Sequence, residues 1–182
     1  MEKKSGFGRR KMINKMSVTL LGILFLVTPV LAETPHHTNL HGLIFDTKLA
    51  FSAPQKTGLD ALSTNYPNNA TPGKEILEIT AVHFSPETLG EMGMNDTELL
   101  EYGKITFWGA SKKGEACKRT LLGKSQIGER IKKSIPTPSL LEVYLLTRKD
   151  GAKTIFGFSY SIADEKSALP LINDVSTSLR EE

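Results

Sequence analysis

The chain has 182 residues, 39% hydrophobic, 24% charged and 7% aromatic, a balance that excludes wholesale disorder, collagen-like repeats and a polytopic membrane protein. One cysteine excludes an intramolecular disulfide framework and a zinc site of several thiolates, so apolar burial must supply most of the stability. The net charge of +3 misleads: residues 1–32 hold six basic and one acidic side chain, and the other 150 carry 17 against 19, which removes a general electrostatic case for nucleic acid.

Lys3, Lys4, Arg9, Arg10, Lys11 and Lys15 precede the apolar run Val18 to Ala32. That is the layout of a secretory signal peptide. As a helix the run spans about 22 Å against a hydrocarbon core of ~30 Å, short for a permanent span. Pro29 breaks it, and Val30-Leu31-Ala32 supplies a cleavage site. The expectation is an exported protein, periplasmic or secreted, cut after Ala32, with no permanent transmembrane segment. An uncleaved anchor is the alternative.

Glu33 to Leu40 reads as a polar, flexible leader, with the folded domain spanning residues 41–182. From Leu43 apolar residues share one parity through Phe51, predicting a long strand or tight hairpin that ends at Pro54. Residues 55–73, rich in Asn, Pro, Gly and Thr, read as a long loop. Glu75 to Phe84 is the clearest strand, with apolar residues on both parities, as near the middle of a covered sheet. Ser85-Pro86-Glu87 starts one helix, and Asn95 to Glu98 starts a second that Gly103 closes. Lys104 to Trp108 returns to strand character, followed by short strands at Arg119 to Leu122 and Glu129 to Ile135. Leu140 to Thr147 and Lys153 to Ser161 flank an Asp150-Gly151 turn and predict a hairpin. A helix from about Ser167, with the stripe Leu171, Ile172, Val175 and Leu179, closes the chain.

This order makes an α+β domain on a single, mostly antiparallel sheet flanked by helices. The segments Leu40 to Pro54, Glu78 to Met92 and especially Tyr144 to Leu179 resemble the PsbP-like family. The resemblance implies an α/β/α sandwich and an exported, non-enzymatic accessory or binding role, and it transfers no site residue.

No side-chain constellation spells out catalysis or a cofactor. His36, His37 and His41 offer imidazoles for a metal, but a polar leader accounts for them without one. His83 falls on the parity of Leu77, Ile79 and Ala81 and reads as a buried, hydrogen-bonded core histidine. Cys117 lies among lysines that favour a thiolate, yet no histidine accompanies it, so a surface or half-buried cysteine is the expectation.

Charge layout is the most unusual feature. Residues 33–103 carry 3 basic and 10 acidic groups, and residues 104–133 carry 9 and 2. The candidate partner-binding residues are Lys112, Lys113, Lys118, Arg119, Arg130, Lys132 and Lys133, gathered into a patch for a protein or anionic envelope surface. The plainer alternative scatters them over separate loops. A second functional reading is a carrier of a small apolar ligand such as a lipid, with residues 55–73 as its lid.

Overall fold

The computed structural model describes residues 34–134 and 137–182. The signal-peptide stretch and its cleavage site, together with Ile135 and Pro136, lie outside the described residues. Two sheets form, all of their strand pairs antiparallel. A small one pairs β1 (His36–Leu40), β2 (Leu43–Thr47) and β10 (Arg180–Glu181). The large one has seven strands in the order β3 (Gln55–Gly58), β4 (Ala61–Tyr66), β5 (Leu77–Phe84), β9 (Lys153–Ser161), β8 (Ser139–Thr147), β7 (Lys124–Lys133) and β6 (Glu115–Leu121).

Alternation along the central strands divides the apolar side chains between two faces. Tyr144, Phe156 and Phe158 meet Leu43, Phe45 and the buried stripe of α3 (Glu165–Ser178), namely Leu171, Ile172 and Val175, with Leu179 just beyond. On the opposite face Val82, Val143 and Ile155 pack with Leu99 and Trp108 of α2 (Asp96–Trp108), beside the short α1 (Pro86–Met92). The result is the expected α+β architecture, with helices on both faces of the large sheet. The single sheet anticipated from the sequence becomes two, because the β1–β2 hairpin packs against α3 and pairs with β10 rather than joining the main ladder.

Four local expectations need correction. The leader is strand from His36: Thr38 and Leu40 point inward opposite Phe45 and Leu43 while their neighbours stay exposed. Residues 55–66 are a hairpin, not a loop, held by hydroxyls where apolar side chains were sought: Ser63 Oγ lies 3.1 Å from Thr57 Oγ1 and 2.7 Å from Thr80 Oγ1. Gly103 does not close α2, which runs on through Trp108 to a left-handed Gly109 cap. The glycine is there for packing, since a Cβ on Gly103 would fall 2.1 Å from Ile155 Cδ1. Finally, α3 begins at Glu165 after a 3-10 turn, which places Pro170 in its second turn, with its ring exposed.

Candidate functional site: a lysine cluster beside a buried ion network

Strands β6 and β7 carry five of the seven candidate partner-binding residues, and their register decides which meet. Glu115 pairs with Arg130 and Arg119 with Gln126, so Cys117, Arg119 and Arg130 share the face toward α3. There they meet Glu142 of β8, whose side chain is only 1% exposed. Arg119 donates from Nη2 to Oε2 at 2.9 Å, and Arg130 donates from Nε and Nη2 to Oε1 at 3.1 and 2.5 Å. The Tyr144 and Tyr160 hydroxyls also donate to this carboxylate, at 2.9 and 3.1 Å. Burial opposes ionisation of Glu142, but the hydrogen bonds from Arg130 and Arg119 outweigh it and hold the carboxyl below the usual range. Arg119 also reaches Asn173 of α3 and sits over the Phe158 ring. Two of the seven expected partner-binding residues are thus tied up internally, although Arg130 keeps one edge toward solvent.

Lys104 is a third internal cation. Its side chain is fully buried and contacts Glu101 and, at 2.7 Å, Glu129 of β7. Burial pulls its pKa down, while Glu101 and Glu129 more than restore it. Cys117 is half-buried with Sγ 3.3 Å from the Tyr144 hydroxyl. Burial pushes its thiol up, the reverse of the activation that neighbouring lysines promise in the sequence.

With these removed, four lysines come together. Lys112 and Lys113, in the segment after α2, and Lys132 and Lys133, at the end of β7, line two adjoining hollows of about 340 and 280 Å³ with Glu115 as the one lining carboxylate. Gly114 allows the approach: a Cβ there would strike the Arg130 carbonyl oxygen at 2.7 Å. Among the described residues none of the four lysines makes an ion pair, although Lys133 also borders a separate hollow that Glu75 and Glu78 line. Lys118 stands apart, opposite exposed Ile127 further along the β6–β7 hairpin. A larger hollow, about 630 Å³ between the β6–β7 turn and the end of α3, is also basic, but Lys149 pairs with Glu181 there and Arg180 with Asp46.

The histidines separate. His37 pairs with Asp46 across the β1–β2 hairpin at 2.6 Å, whereas His41 stacks on His83 with ring centroids 5.7 Å apart. His83 is therefore not the hydrogen-bonded core residue expected, and its Nδ1 is buried without a partner, as is His41 Nε2. Arg148 donates to the His41 carbonyl and occupies the space beside Gly42, where a Cβ would come within 2.8 Å of its guanidinium. Burial lowers both histidines, helped by His83 on His41 and by Arg148 on both, and opposed by Asp60 and, at His83, by Asp150. The folded protein thus resists protonation that the unfolded chain accepts, and stability should be fully present above the free-imidazole pKa of about 6.5 and fall as pH drops below it. Urea unfolding at pH 7.5 and pH 5.5 checks this. The double variant His41→Asn and His83→Gln should lose most of that pH dependence, Asn tolerating the positive φ of 54° at position 41. An unchanged slope would refute it.

No family model matches the chain, and no curated protein matches it. Among solved structures, it is similar to PA94 of Pseudomonas aeruginosa, a protein of unknown function, with 11% identity over 76% of this chain and 94% of that one and a TM-score of 0.39. It is also similar to the Saccharomyces cerevisiae Ran-binding protein Mog1p, with 10% identity over 79% and 86% and a TM-score of 0.42. Both likenesses are too distant to carry function from those proteins to this one.

Proposed function

We propose that the chain is an exported, non-enzymatic accessory protein, PsbP-like in architecture, that docks on an anionic protein or envelope surface. The observation that carries this reading is the convergence of Lys112, Lys113, Lys132 and Lys133 while the neighbouring Arg119, Arg130 and Lys104 are neutralised inside. With those three cations neutralised inside, the lysine cluster is the charge left for presentation to a partner. The basic leader and apolar run of residues 1–32 support export, and the order of elements supports the family resemblance.

The apolar-carrier reading draws less support. Its lid is the β3–β4 hairpin, and the hollow between that hairpin and α2 holds only about 130 Å³, the share of roughly four waters at ~30 Å³ each and far too little for a lipid chain.

Attraction between exposed charges is screened within about 8 Å at physiological salt. Co-sedimentation with phosphatidylglycerol vesicles should therefore weaken steeply from about 20 to about 150 mM salt. Each lysine near an anionic surface contributes ~1 kcal/mol, so replacing all four with glutamine should lower low-salt affinity about a hundredfold or more. Salt-independent binding, or binding that survives the four replacements, would remove the cluster from the docking role.

A further inference from the structure

Glu78 of β5 is a carboxylate that none of the features above employs. It points to the α2 side of the sheet and lines two hollows, one of about 130 Å³ with Thr57, Ser63, Thr80 and Thr106 and one of about 250 Å³ with Glu75 and Lys133. No cation lies within ion-pair distance of it among the described residues. Asn65, its cross-strand neighbour in the β4–β5 register, keeps a buried amide oxygen without a donor. The smaller hollow is walled by Phe107 and Trp108.

We infer that Glu78 and the surrounding hydroxyls form a binding site for a small primary alkylammonium ion. Charge is the first argument: Glu78 is the one charged side chain lining the smaller hollow, and in the larger one Glu75 and Glu78 outnumber the single ammonium of Lys133. One further positive charge balances them. Geometry is the second, because a primary ammonium has three N–H donors and the hollow presents a carboxylate and several hydroxyl oxygens as acceptors. The third is the wall: Phe107 and Trp108 offer apolar ring surface to the ligand's methylene chain. Size then limits the ligand, since about 130 Å³ is the share of roughly four waters at ~30 Å³ each. Burial raises the Glu78 carboxyl, helped by Glu75 and opposed by Lys133 and a hydrogen bond from Ser63, and an incoming cation relieves the burial penalty.

The chain's only tryptophan, Trp108, lines the hollow and supplies the readout. Titration with n-butylammonium chloride should change its fluorescence saturably. The neutral 1-butanol and the N–H-free tetramethylammonium ion should each bind at least tenfold more weakly. Glu78→Gln should lower butylammonium affinity at least tenfold without moving the unfolding midpoint. If that variant does not fold, Thr106→Val on the exposed side of α2 removes one acceptor and should weaken binding severalfold. Equal affinity for 1-butanol, unchanged affinity in a folded Glu78→Gln protein, or no saturable response to butylammonium would overturn the site. Vesicle binding through the lysine cluster should survive Glu78→Gln, so the two sites fail separately.

Discussion

Deletion of residues 167–182 should leave a chain that aggregates or fails to fold. The segment carries Leu171, Ile172, Val175 and Leu179, exposed by 6, 0, 0 and 4%, which close the core beneath Phe45, Tyr144 and Phe158. Each such side chain contributes ~1.5 to 3 kcal/mol when fully buried, so four amount to about 6 to 12 kcal/mol, comparable with the ~5 to 15 kcal/mol that holds a whole domain together. The deletion also removes β10 from the edge of β2 and the Ser178 hydroxyl that donates to the Asp46 carbonyl at 2.8 Å. Circular dichroism and size-exclusion chromatography of the truncated chain provide the check. A monodisperse truncation with an unchanged melting temperature would show that α3 is a detachable tail.

Glu142→Ala is the point substitution with the largest expected effect. It leaves two guanidinium groups and two tyrosine hydroxyls without their shared acceptor on the buried face of the sheet. Removing one side of a buried ion pair costs about 3 to 5 kcal/mol, far more than an exposed pair is worth. For a domain of this size that lowers the melting temperature by roughly 10 °C. Because the Glu142 carboxyl lies below its unfolded value, its contribution is present above the unfolded pKa and is lost as pH falls through the folded one. The difference between the native protein and Glu142→Ala should therefore be largest near neutral pH and shrink in strong acid. Urea denaturation at several pH values measures it, and a variant within about 1 kcal/mol of the native protein at pH 7 would mean that the network is slack.

The elements legible in the sequence are those built from long apolar patterns. Strand β5, the Asp150-Gly151 hairpin and the stripe of α3 all appear where periodicity and turn chemistry place them. Strands β1 and β4 escape because their inward positions include Thr38, Ser63 and Thr64, which are buried through hydroxyl hydrogen bonds and neighbouring contacts that hydropathy does not register, and β3 escapes because it buries no side chain. Gly103 has two physical uses, ending a helix or admitting a neighbour, and only the position of Ile155 distinguishes them. Taken as a helix end, it makes Lys104 a strand residue, whereas α2 running on to Trp108 brings Lys104 against Glu129.

The site was legible to a similar degree. Excess positive charge between residues 104 and 133 is visible directly, but its division into internal and presented cations depends on the β6–β7–β8 register. Glu142 did leave a signal: an acidic residue on the same parity as Leu140, Tyr144 and Leu146, inside an otherwise apolar strand, requires a buried cationic partner. Both arginines that answer it were in view as surface candidates.

Docking by the lysine cluster differs from attraction by net charge alone, and a comparison of two equally charged variants separates them most directly. One carries glutamine at Lys112, Lys113, Lys132 and Lys133; the other carries it at the exposed Lys56, Lys118, Lys124 and Lys166, which lie outside the cluster. Equilibrium binding of each to phosphatidylglycerol vesicles at low salt should show the first weakened about a hundredfold or more and the second within a few-fold of the native protein. Equal loss in the two variants would contradict the account and reduce the cluster to ordinary solvated charge.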